Sequence, residues 1–95
     1  HADYAIAIEK LANLGRRFDI IFIDPPYKLG IALDAVRRIQ EKNILSKDGI
    51  VVVEHESKDL LPETIGIFEL FKGKKYGNTC LSLYVIKKKN GEIEK

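Results

Sequence analysis

Phe18-Asp19-Ile20-Ile21-Phe22-Ile23-Asp24-Pro25-Pro26-Tyr27 is the stretch on which the fold turns. The four apolar residues Ile20 to Ile23, β-branched and aromatic, read as a strand buried on both faces. Pro25-Pro26 ends it, because proline donates no ladder hydrogen bond and biases its predecessor toward an extended turn. Downstream, Ile50-Val51-Val52-Val53 repeats the pattern and runs into Glu54-His55-Glu56. Between the two runs, Ile31 to Lys42 places Ala32, Val36 and Ile39 on one face, with Asp34, Arg37, Arg38 and Glu41 elsewhere. That is an amphipathic helix of about three turns. Ser46-Lys47-Asp48-Gly49 is expected to be a turn. Strand, helix and strand joined by short links predict a right-handed βαβ unit with two parallel strands.

Upstream, Asp3 to Leu14 carries Tyr4, Ile8, Leu11 and Ala12 at helical spacing, with Asp3 placed to cap the helix and Gly15 to end it. Downstream, Ser57 to Thr64 reads as a loop holding Pro62. Ile67–Tyr76 and Thr79–Lys88 read as two longer strands, joined by a Gly77-Asn78 turn in which both residues tolerate positive φ. The tail from Asn90 is expected to fray. The order α-β-α-β-β-β describes an α/β fold of two parallel strands, a closing antiparallel hairpin and flanking helices. The first strand has a buried pattern, yet nothing before it in these 95 residues could cover its far side. A chain that starts at His1 and holds no methionine fits the same expectation, that residues 1–95 are part of a longer domain.

Composition narrows the function. The net charge is +2, and residues 1–48 and 49–95 each carry eight basic and seven acidic groups. Binding to nucleic acid by bulk charge is thereby excluded, though a local patch is not. The single Cys80 excludes an intrachain disulfide framework and a cysteine zinc cage, and suits a reducing cytoplasm. Apolar runs reach only four or five residues, so no membrane-spanning stretch and no signal peptide are expected in these residues.

Asp24-Pro25-Pro26-Tyr27 carries the chemistry. It follows a parallel strand, at the sheet end where open α/β folds bind ligands. An exocyclic amine on a planar base is a poor nucleophile, because its lone pair is delocalised into the ring. A carboxylate at Asp24 and the Pro25 carbonyl would accept its two N–H groups and turn that lone pair outward. Pro25 and Pro26 hold the backbone in place beforehand. Tyr27 would stack on the base, a contact of about 1–3 kcal/mol in nucleic-acid proteins. A base reached in this way is flipped out or already unpaired. The competing reading is an Asp-initiated proline turn with no further role.

The stretch Phe18 to Tyr27 resembles motif IV of the amino-methyltransferases, whose Asp-Pro-Pro-aromatic signature serves enzymes acting on adenine in DNA and guanine in RNA. Lys75-Tyr76-Gly77-Asn78-Thr79-Cys80-Leu81-Ser82-Leu83-Tyr84 resembles the closing hairpin of the RsmD-like family, bacterial enzymes that methylate the exocyclic amine of a guanine in 16S ribosomal RNA. Val53-Glu54-His55 is similar to that family too, and the likeness runs from about Asp3 to Lys88. The resemblance implies the C-terminal, target-base half of a Rossmann-like class I methyltransferase sheet, with S-adenosylmethionine as donor and no metal. It implies that Asp24, Pro25, Pro26 and Tyr27 handle the base. It also implies that Asp3, the backbone of Tyr4, and Asp24 contact the cofactor; for Asp3 a plain helix cap competes equally. The family's glycine-rich cofactor loop and ribose-binding acid lie upstream of Asp3, so the 95 residues alone are expected to be inactive. Gly15 and Gly30 do not replace that loop, since neither follows a strand at the needed spacing.

Other residues have blander expectations. His55 is expected to be solvated at a strand end, with a role as a base or an RNA contact the competing reading, and Glu54, His55 and Glu56 to point alternately rather than jointly at a metal. Lys72, Lys74, Lys75, Lys87, Lys88 and Lys89 are expected near one end of the hairpin, protecting an edge or meeting phosphates. Tyr76 and Tyr84 are expected to pack on the hairpin, Cys80 to be buried, and Arg37-Arg38 to form a wet helix face. Two alternatives stay open: a DNA adenine methyltransferase of the same fold, and a non-enzymatic α/β module that associates through the bare edge of Phe18–Ile23.

Overall fold

The computed structural model describes residues 3–24 and 28–87, with Asp3 described by its backbone alone. In chain order the elements are α1 (Asp3–Asn13), β1 (Phe18–Ile23), α2 (Leu29–Lys42), β2 (Leu45–Glu56), β3 (Thr64–Ile65), β4 (Phe68–Tyr76) and β5 (Thr79–Ile86). Gly15 ends α1 as expected, in the left-handed region at φ 71°, and its amide donates to the Ala12 carbonyl. Helix α2 begins two residues earlier than its apolar spacing implied. It ends at Asn43, whose φ of 56° and ψ of 47° are tolerated because a short polar side chain lessens the left-handed penalty.

The described strands form one sheet in the order β1-β2-β5-β4-β3. β1 and β2 are parallel, with Ile21 opposite Val51 and Ile23 opposite Val53. The expected parallel pair joined through α2 therefore holds. The expected turn at Ser46–Gly49 does not: these residues lie within β2, which starts at Leu45. Between the pairs Phe18–Leu45 and Ile20–Ile50, two steps along β1 match five along β2. The polar segment is thus absorbed as an irregularity of the strand, and Gly49 permits it, because a Cβ there would meet the Leu45 side chain at 2.7 Å.

β4 and β5 form the expected hairpin, but only Gly77 has positive φ, at 59°. A left-handed first central residue followed by an ordinary second one is the type II′ pattern, so Asn78 need not enter the left-handed region. The returning strand β5 inserts between β2 and β4. The physical reason is composition: Thr79–Ile86 is apolar enough for a central place, whereas Phe68–Tyr76 carries Lys72, Lys74 and Lys75 and suits a more peripheral one. A one-residue bulge leaves Phe71 unpaired between Leu70, opposite Tyr84, and Lys72, opposite Leu83. The end of the expected 57–64 loop contributes β3, which pairs with β4 at Thr64–Glu69 and Ile65–Phe68.

The core lies between the helices and one face of the sheet. Val36 and Ile39 of α2 pack with Val51, Val53, Ile65, Phe68 and Tyr84, joined by Ile8 from α1. The opposite face carries Ile20 and Phe22 of β1, Ile50 and Val52 of β2, and Leu81, Leu83 and Val85 of β5, following strand alternation and register. No helix of the described residues lies over it, and Ile20 and Phe22 are 64% and 53% exposed. The expectation that β1 is buried on both faces is thus corrected: its apolar run is real, but only Ile21 and Ile23 face the core. No described helix is long and apolar enough to cross a membrane.

Candidate functional site

The parallel pair ends at Ile23 and Glu56, and Asp24 follows directly on β1, exposed to solvent. Because Ile23 pairs with Val53, Asp24 emerges level with the start of Glu54-His55-Glu56. The Gly77-Asn78 turn lies at this same sheet end, since Glu56 pairs with Thr79 and Thr79 with Tyr76. Pro25, Pro26 and Tyr27 lie outside the described residues, as does the side chain of Asp3. Of the expected base-handling group, then, the structure places Asp24.

Tyr4 lies on α1, which packs against α2. Its hydroxyl donates to Oδ2 of Asp34 at 2.5 Å, and Arg38 Nε donates to the same oxygen at 2.8 Å. The hydrogen bond from Tyr4, then that from Arg38, hold the Asp34 carboxyl below the usual range, and the carboxylate in turn pushes the Tyr4 phenol up. The Tyr4 side chain is therefore committed to fixing α1 against α2, which leaves its backbone for any ligand. The expected wet face of Arg37-Arg38 is half right: Arg37 is exposed, but Arg38 is half-buried and ion-paired to Asp34.

His55 departs most from expectation. It is 7% exposed rather than solvated, on the core side of β2. Its Nδ1 lies 2.9 Å from the Glu56 carbonyl and its Nε2 2.8 Å from Ser82 Oγ. A carbonyl only accepts, so Nδ1 donates, and Nε2 of a neutral ring accepts from the Ser82 hydroxyl. Ser82, itself buried, was not singled out from sequence. The signal is present: counting forward from the Gly77-Asn78 turn puts Ser82 on the face of Tyr84, diagonal to His55 across the β2–β5 pair.

The hairpin residues divide. Tyr84 is fully buried, and its hydroxyl donates to the Pro62 carbonyl at 2.6 Å; burial pushes its phenol up to about 12. Tyr76 is 57% exposed instead of packed, and Cys80 is half-buried instead of buried. Lys72, Lys74 and Lys75 lie on β4 toward the Gly77 turn, but Lys87 lies at the opposite end, its amide bonded to the Ile67 carbonyl. The lysines do not gather at one end, because antiparallel strands send the start of β4 and the end of β5 to the same side. Lys88 and Lys89 lie outside the described residues. Among the described residues, no group of three or more His, Cys, Asp or Glu could hold a metal ion.

A model of the family described as "Conserved hypothetical protein 95" matches residues 1–85. The Bacillus subtilis protein called "Putative rRNA methyltransferase YlbH" is 35% identical over 78 residues, covering 82% of this chain and 42% of that protein. Ribosomal RNA small subunit methyltransferase D of Escherichia coli K12 is 27% identical over 78 residues, covering 82% of this chain and 39% of the relative. A solved structure of a conserved hypothetical protein from Streptococcus pyogenes superposes with a TM-score of 0.72 at 32% identity, covering 83% of this chain and 50% of that one. The chain spans about two fifths of the length of the curated relatives it matches.

Proposed function

The chain belongs to the family described as "Conserved hypothetical protein 95", the RsmD-like methyltransferases, and from that premise we propose that it is the target-base part of an enzyme that methylates the exocyclic amine of a guanine in small-subunit 16S ribosomal RNA. The observation that carries this reading is the position of Asp24, exposed and directly beyond β1, at the end of the parallel pair where an α/β sheet presents ligands. The Asp24 carboxylate accepts one N–H of the guanine amine and the Pro25 carbonyl accepts the other. The lone pair then points away from both oxygens. Pro26 stiffens the loop and Tyr27 stacks on the base.

The methyl donor in this reading is S-adenosylmethionine, which supplies an electrophilic methyl group when bound. The residues that would hold it are Asp3, the backbone of Tyr4, and Asp24. The fit rests on the donor set. Two carboxylates suit a sulfonium and an aminated adenine, and the Tyr4–Asp34–Arg38 tie holds the start of α1 against α2. The rest of the cofactor site would come from polypeptide beyond residues 1–95. The isolated 95 residues would then neither bind the cofactor tightly nor transfer methyl groups. The intact enzyme would work in the cytoplasm, and the bare edge of β1 would be where further polypeptide joins the sheet.

The test is transfer of labelled methyl groups by the full-length protein. Ribosomal RNA from the small subunit is expected to be labelled, and digestion to yield N2-methylguanosine; labelled adenine in DNA instead would overturn the RNA assignment. Asp24→Ala in that protein should lower turnover at least about 100-fold while leaving cofactor affinity within a few-fold. Equal losses in both would reassign Asp24 to cofactor binding alone.

A further inference from the structure

The proposed transfer makes no use of His55 and Ser82, the polar pair buried in the described core. The Glu56 carbonyl, at the end of β2, accepts from His55 Nδ1 at 2.9 Å and from the Asp59 amide at 3.0 Å. The imidazole thus closes the turn Glu56–Asp59 from its core side, while Ser82 on β5 anchors the far end of the ring at 2.8 Å. The Ser57 amide donates to the Asn78 carbonyl at 2.8 Å, which fastens this turn to the Gly77-Asn78 turn. Glu56, Ser57, Lys58 and Asn78 line a groove of about 220 Å³ between the two turns.

That groove opens at the sheet end from which Asp24 emerges. Strand β1 is separated from β5 by β2 alone, so the two positions are on the order of 10 Å apart, two strand spacings. A base held at Asp24 would have its flanking sugar and phosphate within reach of this groove. The Lys58 ammonium, paired at 3.3 Å with the Glu56 carboxylate that also lines the groove, joins the hydroxyl of Ser57 and the amide of Asn78 as donor types that phosphate and ribose oxygens accept from. A buried imidazole costs stability unless both nitrogens are satisfied, and once satisfied it permits one geometry where an apolar side chain would permit several.

We propose that His55 is a positioning residue for the RNA strand: its imidazole, donating through Nδ1, holds the 56–59 turn against the 77–78 turn and so shapes the groove that receives the backbone beside the target base. The inference rests on the reading of Asp24 as the base-handling residue. It adds a role for a side chain that touches neither base nor cofactor.

The experiment uses the full-length protein and small-subunit ribosomal RNA. His55→Phe combined with Ser82→Ala removes both polar partners together and leaves neither orphaned. The Kd and KM for RNA are expected to rise about tenfold, the equivalent of about 1.4 kcal/mol, with kcat within twofold and cofactor affinity unchanged. Ser82→Ala alone should raise them by a smaller factor, and it serves if the double variant fails to fold. Nitrogen NMR of the wild-type ring should find Nδ1 protonated. A proton on Nε2 with Nδ1 bare, an unchanged RNA Kd, or a fall in kcat at constant KM would overturn the proposal. If the wild-type protein binds this RNA without methylating it, the transfer reading fails, and the Kd comparison still decides the role of His55.

Discussion

Tyr84 illustrates how one hydroxyl can report on the whole packing arrangement. Its ring is fully buried beside Phe68 and Val51, and its single donor is satisfied by the Pro62 carbonyl, which ties the 57–63 segment to the middle of the sheet. Removing that donor in Tyr84→Phe leaves the carbonyl without this bond and should cost about 1 kcal/mol at neutral pH. A second effect appears at high pH. The unfolded chain ionises this phenol near 10.0, while the folded chain keeps the proton to about 12. Between those values the unfolded state binds fewer protons, so stability falls as pH rises; it is fully present below pH 10 and lost through the folded value. The loss is on the order of 2 kcal/mol. Urea midpoints of wild type and Tyr84→Phe between pH 8 and 11 should therefore converge as pH rises, because only the wild type carries this ionisation. Parallel curves would mean that the hydroxyl is not the buried group described.

The contact between α2 and the β3–β4 turn depends on one glycine. Gly66 has φ of 60°, and Gln40 Oε1 accepts from the Ile67 amide at 2.9 Å beside it. A Cβ at Gly66 would collide with the Gln40 side-chain amide, so Gly66→Ala combines backbone strain with loss of that hydrogen bond. About 1–3 kcal/mol should go, read as a lower urea midpoint with an unchanged slope. Little of this was legible from sequence, and the reasons are general. Periodicity marks elements that bury one stripe, which is why α1, α2, the parallel pair and the hairpin could be read directly. It does not register side-chain to backbone bonds such as Gln40 to Ile67, nor a short strand like β3 that exists only because β4 is beside it. The turn expected at Ser46–Gly49 is displaced for a related reason: local turn chemistry favours it, but pairing with β1 on either side takes the segment into β2 as an irregularity of the strand. At the candidate site, Asp24 was legible because its strand and stop signal are local. The burial of His55 was not, because it depends on Ser82, twenty-seven residues away.

Among the described residues, the helices cover one face of the sheet and leave the other bare. α1 and α2 both pack on the face of Val51 and Val53, while Ile20, Phe22 and, across the sheet, Phe71 at 63% exposure face outward. β1 also forms one end of the described sheet, so its outer backbone groups have no strand partner among the described residues. Beside that edge an apolar groove of about 270 Å³ runs between β1 and the helices, lined by Ile8, Leu11, Phe18, Ile21 and Ile39 among others. An unpaired edge flanked by apolar side chains favours association, since pairing satisfies the backbone and removes hydrocarbon from water at about 25 cal/mol per Å². The 95-residue chain in isolation should accordingly self-associate with rising concentration. Phe22→Lys places a charge on the bare face, next to the edge, without touching the core, so it should shift sedimentation toward monomer while leaving thermal stability at low concentration within about 0.5 kcal/mol. Ile21→Lys is the control: it faces the core and should unfold the chain. A wild-type chain that sediments as a monomer up to millimolar concentration would mean that the bare face and edge are too small or too well hydrated to drive association.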